Sequence, residues 1–441
     1  MRFRAALRFG VIALLVGGLA ISSANVTLAD RQRRQSCSYI TDAVSSGTCF
    51  GRGATAYFAK RNCEVRGCAC QTPNGGCTRA PADPDFEACF KQSGDTAIAA
   101  CARVIASGHY EGSNLAALYD NRGIEYNAKG DYDRAIADYD QAIALDPQNA
   151  LAHSNRGQAY AAKGDYDRAI ADYSAAILVD PLPESAVHIN VYENRGQAYA
   201  AKGDLDRAIA DYGEAIQIDL RNALVRNNRG EAYAAKGDCD HAIADYDHAI
   251  EINPKYGFVY KNRGDAFAAK GDYQRATADY DQAIQFDPNN GSVYFYRGLA
   301  ELYGGALPKA LADLDQTSAR APKDAYVALW RDIADKRSNQ PSRLPAAVSQ
   351  IDMTKWPAPV IRLYLGETTP EAVLAAADDP APAIKKGQLC EANFFTGEIA
   401  LQQGDKDEAV QLFRFAASNC PKDYVQSEAA IAELKTLGVN P

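Results

Sequence analysis

The tripeptide Asn-Arg-Gly recurs through the middle of this chain at a nearly constant step. Its glycines, with Tyr in place of Asn at the last one, are Gly123, Gly157, Gly196, Gly230, Gly264 and Gly298. The steps between them are 34 residues, except for one of 39. A period of this size indicates stacked helix–turn–helix units, because one such unit cannot bury its own apolar face. The chain is therefore predicted to be all-α and to hold other molecules rather than transform them.

Other residues recur on the same grid. With Ala116 as position 1, a repeat has Tyr at position 4, Gly at 8, Tyr at 11, Ala at 20, Tyr at 24, Ala at 27 and Pro at 32. This pattern resembles the tetratricopeptide repeat, which implies a right-handed superhelical solenoid of antiparallel helix pairs. We expect Gly at 8 and Ala at 20 to let paired helices approach closely, with the rings packed around that contact.

The grid also predicts the domain organisation. A repeat array is expected over residues 85–324, with a shortened first repeat and six repeats that start near residues 116, 150, 189, 223, 257 and 291. The 39-residue step places five extra residues around Pro183 to His188, where the groove is expected to bend. A repeat-like C-terminal region with an end-capping helix is predicted for residues 325–441.

The N-terminus has the pattern of a secretory signal peptide. Arg2, Arg4 and Arg8 precede an apolar run, and small residues follow up to Ala24 or Ala29, where cleavage is expected. The apolar run is too short for a membrane span, so residues 1–29 are assigned to the signal. No Cys follows the small-residue segment directly, which argues against a lipid anchor. The mature protein is expected to be soluble in the periplasm, or secreted.

Cysteine usage favours an oxidising compartment. Residues 30–84 are predicted to form a small module with six cysteines, namely Cys37, Cys49, Cys63, Cys68, Cys70 and Cys77. Six cysteines allow fifteen pairings, and the sequence does not select one of them. A zinc site that uses Cys68, Cys70 and Cys77 is the alternative. Disulfides are favoured because thiols of exported proteins are usually oxidised.

The remaining cysteines can be placed on the repeat grid. Cys89 and Cys101 face each other in the shortened first repeat, and Cys390 and Cys420 lie at positions 1 and 31 of a late repeat. Both pairs are predicted disulfides that would stabilise the ends of the array, where helices have fewer neighbours. Cys239 remains, and is interpreted as a small apolar residue at a helix start.

The resemblance to tetratricopeptide arrays implies a binding groove lined by the first helix of each repeat, at positions 2, 5, 6, 9, 12 and 13. Position 6 holds Asn121, Asn155, Asn194, Asn228 and Asn262, and position 9 holds Gln158, Gln197, Glu231 and Asp265. Amides both donate and accept hydrogen bonds, so this ladder is predicted to bind an extended peptide backbone. The alternative is that these Asn residues only bridge adjacent helices.

Repeated charges on the helices are expected to be structural. Four Arg–Asp pairs with i,i+4 spacing are predicted on the second helices: Arg134–Asp138, Arg168–Asp172, Arg207–Asp211 and Arg275–Asp279. The arginine of each Asn-Arg-Gly occupies position 7, usually a packed apolar site. Its stem can pack while the guanidinium finds an acidic or carbonyl partner between repeats, which the sequence does not identify.

Composition and motifs argue against several function classes. The formal net charge of −9 and the pI near 5.2 provide no basic stripe for nucleic acid. No nucleophile elbow, zinc-protease motif or phosphate loop is found, so no enzyme activity, metal or cofactor is expected. His241 and His248 lie seven residues apart on a face predicted to be convex, and are interpreted as solvated surface.

The C-terminal stretch, residues 325–438, resembles the last third of the NlpI family of bacterial envelope lipoproteins. The similarity includes Ile361-Arg-Leu-Tyr-Leu-Gly366, Asn393-Phe-Phe-Thr-Gly397 and the segment from Ala430 to Leu437. That family is a scaffold that brings cell-wall hydrolases to a periplasmic protease. An end helix at residues 424–437 is expected to solvate the last repeat, with Ala430 and Leu434 on its packed side.

Together these features predict a non-enzymatic exported adaptor that binds protein or peptide partners in its groove, in envelope protein assembly or turnover. Envelope hydrolases or proteases are the partners that the NlpI resemblance implies. The alternative is a secreted factor whose Cys-rich module binds a surface, a glycan or a host target. The sequence leaves the oligomeric state open.

Overall fold

Antiparallel helix pairs make up the described part of the chain. A computed structural model describes residues 83–180, 186–421 and 424–440, and two short antiparallel strands, β1 (Cys68–Ala69) and β2 (Thr78–Arg79). The predicted signal peptide and nearly all of the Cys-rich module lie outside the described residues. So do most of the extra residues of the 39-residue step. The predicted all-α repeat fold is confirmed.

The described helices fall into two compact units, divided between Leu220 and Arg221. We call these the N-terminal unit and the C-terminal unit. The N-terminal unit contains α1 (Pro84–Lys91), α2 (Gly94–Ala106), α3 (Gly112–Ala128), α4 (Tyr132–Leu145), α5 (Ala150–Ala162), α6 (Tyr166–Val179), α7 (Ala186–Ala201) and α8 (Leu205–Ile218).

The C-terminal unit continues the same alternation and ends in a less regular region. Its first seven helices are α9 (Ala223–Lys236), α10 (Cys239–Ile252), α11 (Gly257–Lys270), α12 (Tyr273–Phe286), α13 (Gly291–Tyr303), α14 (Leu307–Arg320) and α15 (Ala325–Arg337). Then follow α16 (Leu344–Ala347), a 3-10 turn (Val348–Gln350), α17 (Ala358–Tyr364), α18 (Pro370–Ala376), α19 (Pro382–Gln403), α20 (Lys406–Asn419) and α21 (Val425–Thr436). In the array, odd-numbered helices are first helices and even-numbered ones are second helices.

A Gly-Asp step starts most second helices. Before α4, Gly130 has φ of 77°, a left-handed value that favours glycine. Asp131 then accepts a hydrogen bond from the backbone N–H of Arg134 at 3.2 Å. This bond satisfies one of the N–H groups that lack a partner in the first turn of a helix. The repeated Gly-Asp therefore fixes where each helix pair turns.

The glycine at position 8 makes room for a ring. A Cβ added to Gly123 would lie 2.7 Å from Cε1 of Tyr139, the aromatic residue at position 24. Gly157 with Tyr173, and Gly397 with Phe413, show the same approach at 2.8 Å. The sequence-based expectation was incomplete: the ring itself, rather than the alanine at position 20, occupies the space that the glycine leaves.

The position-7 arginines bind a carboxylate on the second helix of their own repeat. Arg122 donates from Nε and Nη2 to the two oxygens of Asp138, each at 2.7 Å, and Asp138 is only 5% exposed. The same bidentate pair recurs as Arg156–Asp172, Arg195–Asp211, Arg229–Asp245, Arg263–Asp279 and Arg297–Asp313. Two parallel charged hydrogen bonds fix the geometry of each helix pair.

Several of these arginines also connect neighbouring repeats. Arg156 donates from Nη1 to Asp140 at 2.6 Å, and Arg263 binds Asp247 in the same way. In both cases the second acceptor lies on the second helix of the preceding repeat. One guanidinium therefore joins three helices, which explains why a charged residue occupies a usually apolar position.

The predicted i,i+4 pairs were wrong, because their aspartates are the partners of the position-7 arginines. Arg134 instead binds the cap Asp131 and lies 4.5 Å from the ring centroid of Tyr126. Arg168, Arg207 and Arg275 make the equivalent cap pairs. These second-helix arginines are exposed, and exposed pairs contribute little to stability.

Disulfide bonds join the predicted partners in the structure. One links Cys89 to Cys101, and the other links Cys390 to Cys420. Cys239 is the free cysteine of the described part and lies half-buried at the start of α10. The side chains of the other six cysteines lie outside the described residues, so their pairing remains a prediction.

Candidate partner-binding face

We use the term first-helix face for positions 2, 5, 6, 9, 12 and 13 of the first helices. Small residues keep this face open along much of the array. At position 13, Ala128, Ala162 and Ala235 are exposed, and Ala201 and Ala269 are half-buried. A face of alanines leaves room for another chain to approach the helix closely.

The Asn ladder is engaged in bonds between neighbouring repeats. Asn155 donates to Oδ1 of Asp120 at 3.0 Å, and Asn262 donates to Oδ1 of Asn227 at 3.0 Å. Asn121 donates to the backbone carbonyl of Cys89. In each case the acceptor belongs to the preceding first helix. For these three residues the bridging interpretation describes the observed donor bonds.

The other predicted groove residues differ in exposure. Gln158 is exposed on α5, whereas Gln197 is half-buried and donates to Oε1 of Glu193 at 3.2 Å. Asn194 is half-buried, and Asn228 is buried at 2% exposure. Gln158 is therefore the most accessible polar residue of the predicted set in the N-terminal unit.

Sequence reasoning missed the apolar part of this face. Ile124 at position 9 of α3 is 40% exposed, and Leu151 at position 2 of α5 is 46% exposed. Large aliphatic side chains on an outer face are informative when several lie on one surface. The sequence did contain a signal for Ile124, because the next four repeats have Gln, Glu or Asp at the same position.

In the C-terminal unit the same face has an exposed Phe258 at position 2 of α11 and, beside it, a tightly hydrogen-bonded polar cluster. Lys261 donates to Oδ2 of Asp265 at 2.5 Å, and Tyr280 donates to Oδ1 of Asp265 at 2.8 Å. Glu231 accepts from Asn262 at 2.8 Å and from Asn227 at 2.9 Å. This polar cluster includes the predicted residues Glu231, Asn262 and Asp265.

Burial governs the acid–base behaviour of this polar cluster. It raises the pKa of Glu231, although the amides of Asn227 and Asn262 favour the charged form. Burial would lower the pKa of Lys261, but the Asp265 carboxylate and the Tyr296 ring outweigh it and raise the pKa. Lys261 is therefore a fixed positive charge between two carboxylates.

Further along, the chain's own helices cover the first-helix face. Position 6 holds Trp330 on α15, which is 1% exposed. Its ring centroid lies 5.2 Å from that of Phe394 and 5.9 Å from that of Phe395, both on α19. The side chain that is Asn in five earlier repeats is thus part of an aromatic core here.

Two other expectations concern the remaining surface. His241 and His248 are exposed, and Nδ1 of His241 lies 2.7 Å from Oδ2 of Asp238. In the described residues no cluster of three or more His, Cys, Asp or Glu side chains is suited to a metal ion. Across the same part of the chain, no helix combines the length and apolarity needed to cross a membrane.

The fold and this face define a helical-repeat protein. Family models described as TPR repeat match residues 123–164, 196–237 and 264–303. Models described as tetratricopeptide repeat match residues 150–181, 223–256 and 390–424. The chain therefore carries tetratricopeptide repeats, both in the regular array and in the late pair α19–α20.

Solved structures with a similar fold are also repeat proteins. MamA is 25% identical, with a match over 38% of this chain and 96% of that chain and a TM-score of 0.36. YrrB, described as a TPR protein with an unusual peptide-binding site, is 21% identical over 44% of this chain and 95% of that chain, with a TM-score of 0.37. A repeat protein from Parabacteroides merdae is 17% identical over 66% and 99%, with a TM-score of 0.45. At these scores the likeness says nothing about the partner of this chain.

Proposed function

We propose that this protein is an exported, non-enzymatic scaffold that binds segments of partner proteins along the first-helix face of the N-terminal unit. The observation that carries the proposal is the exposure of Ile124 and Leu151 on a face that also presents the exposed alanines at position 13 and the exposed Gln158. A partner side chain that covers either aliphatic residue removes apolar surface from water. Full burial of such a side chain is worth about 1.5–3 kcal/mol.

The bridging role of the Asn ladder changes how binding is expected to occur. Because Asn121 and Asn155 donate to neighbouring repeats, they hold the face rigid rather than offer free amide donors. A rigid surface loses less entropy when a partner binds. We therefore assign Ile124, Leu151 and Gln158 to direct contact with the partner, and the Asn residues to support of that surface.

Export rests on the N-terminal pattern and on the cysteines. The signal-like segment at residues 1–29 and the two disulfides at either end of the repeats both suit an oxidising compartment such as the periplasm. Disulfides at the two ends of the repeats would support the helices that have the fewest neighbours. A role as an envelope adaptor, with hydrolases or proteases as partners, follows from the NlpI resemblance and is part of the proposal.

The test is a differential capture from the envelope of cells that make the protein. Leu151→Asp places an unpaired charge on the proposed contact surface. Leu178→Asp is the matched control, because Leu178 is 86% exposed on the second helix α6. We expect Leu151→Asp to lose the captured partner by about tenfold or more, since a buried unpaired charge is costly. Leu178→Asp should capture as well as the unchanged protein.

Two outcomes would contradict the proposal. One is equal capture by all three proteins, which would place the contact elsewhere. The other is equal loss with both substitutions, which would indicate a general effect of added charge. Circular dichroism of each variant confirms that the helices remain folded before capture is compared.

A further inference from the structure

The last helix, α21, buries a wider arc than a simple end helix needs. Its buried residues are Gln426, Ala429, Ala430, Ala432, Glu433 and Leu434. At about 100° per residue these positions span roughly 200° of the helix circumference. A helix packed on one side only buries a stripe of about 100° or slightly more. Ala430 and Leu434 are buried, as expected for an end helix, but the wider arc shows that α21 packs on a second surface as well as on α20.

That second surface includes the first helix α15. Arg337, at position 13 of α15, donates from Nη2 to Glu433 of α21 at 2.5 Å and to Glu398 of α19 at 2.8 Å. Glu433 is 3% exposed and Glu398 is 1% exposed. Removing one partner from such a buried group is costly, because a charge is then left without compensation. Arg337 thus fastens α21 to the first-helix face.

The exposed side of α21 stands opposite another first helix. Lys435 Nζ lies 3.8 Å from the position that a Cβ on Gly271 would take, at the end of α11. Seven residues earlier, on the same side of α21, Glu428 is exposed but interacts electrostatically with Lys261 and Asp265 of α11.

These contacts place α21 across α11 and α15 on the face where partners of such repeats would lie. We propose that α21 is an internal strap over the first-helix face of the C-terminal unit, fastened at Arg337, and that a partner chain reaches Lys261, Asn262 and Asp265 only after the strap is released. This proposal rests on the proposed function in one respect only, namely that the molecule kept off the face by the strap is a partner chain. The position of the strap can be tested without a partner.

The two halves of the strap differ in how firmly they are held. The half with Glu433 carries a buried ion pair, whereas Glu428 in the other half is repelled by the Asp265 carboxylate and attracted by the Lys261 ammonium. Because opposing charges act on Glu428 while a direct buried ion pair holds Glu433, the Glu428 half is the end that opens first. Release of the whole helix then depends on the Arg337–Glu433 contact.

Access to the covered face can be measured with a thiol on α11. Ala269→Cys, in a Cys239→Ser background and without reducing agent, places a reporter at position 13 beside the end of α11. Its reaction rate with a bulky maleimide is compared in the full chain with and without Glu433→Gln or Glu433→Ala. The matched control is Glu408→Gln, an exposed glutamate on α20. Hydrogen exchange over residues 382–419 reports whether α19 and α20 stay folded.

We expect Glu433→Ala to raise the labelling rate at residue 269 about tenfold, as expected when a docked helix is locally released, and Glu408→Gln to leave it unchanged. Hydrogen exchange over residues 382–419 should stay slow.

Lys435→Ala is a second variant that remains usable if the Glu433 variants do not fold, because it removes only an exposed side chain. It should raise the labelling rate at residue 269 about twofold. The strap is excluded if none of these substitutions changes the rate. It is equally excluded if the rate rises only together with exchange over residues 382–419, because α21 would then be a structural cap.

Discussion

The first-helix faces of the two units differ in what covers them. In the N-terminal unit, position 6 holds Asn155, and Ile124 and Leu151 on the same face are exposed. In the C-terminal unit, position 6 of α15 holds Trp330, which is buried against Phe394 and Phe395. One helical register is therefore left exposed in one unit and becomes part of a core in the other, depending on whether later helices fold onto it.

The largest expected effect comes from removing that core. Trp330→Ala should destabilise the C-terminal unit by about 3–5 kcal/mol, because a large buried side chain leaves a cavity among the rings. Asn155→Ala at the equivalent position should cost about 1 kcal/mol, the value of an ordinary hydrogen bond. Urea denaturation followed by hydrogen exchange in each unit measures both. Similar costs at the two positions would contradict the distinction between core and surface.

The next prediction tests which arginine forms the ion pair with each buried aspartate. Arg156→Ala should cost about 2–4 kcal/mol, because it leaves Asp172, 6% exposed, without its bidentate partner. Arg168→Ala should give no measurable change in the urea midpoint, since Arg168 lies at the surface and binds only the cap Asp165. If Arg168→Ala is as costly as Arg156→Ala, Asp172 is paired with Arg168 on its own helix, and its pairing with Arg156 is wrong.

A smaller, pH-dependent effect is expected at position 11 of one repeat in the C-terminal unit. Tyr160 occupies that position in α5, whereas α13 has Glu301, whose Oε2 is buried without a hydrogen-bond partner. Burial raises the pKa of Glu301 from 4.5 to about 7. The folded state therefore holds this proton more tightly than the unfolded state, so the contribution of Glu301 to stability falls as pH rises from about 5 to 7 and stays low above that.

Glu301→Gln removes this dependence. We expect the variant to be more stable than the unchanged protein by about 2 kcal/mol at pH 8 and nearly equal to it at pH 5. Thermal unfolding at the two pH values measures the difference. A gain that is the same at both pH values would mean that Glu301 stays charged, or stays neutral, across the range.

The regular part of the fold was predictable from the sequence because the same residues recur at the same positions of successive repeats. Asn-Arg-Gly and Gly-Asp recur at fixed positions, and they mark a close approach and a capped turn that depend on local residues. The arginine partner of Asp138 was misassigned as Arg134, because an i,i+4 spacing on one helix and a spacing of sixteen residues between helices both recur through the repeats. Only the packed helix pair distinguishes them.

The candidate site was less predictable. Asn155 and Asn262 lie on first helices, and their donor bonds to the preceding repeat depend on how repeats stack. The burial of Trp330 depends on α19, more than fifty residues later and after an irregular segment. The strap over α11 depends on how α21 packs against α15, which no local pattern encodes.

The most direct test of the central claim is site-specific photo-crosslinking in cells that make the protein. A photoreactive amino acid is placed at position 124, 151 or 178, one at a time, and partners joined to each position are separated by mass. We predict shared crosslinked partners at positions 124 and 151, and none of them at position 178. Crosslinks to the same partners at position 178 but not at 124 or 151 would contradict a binding face on the first helices of the N-terminal unit.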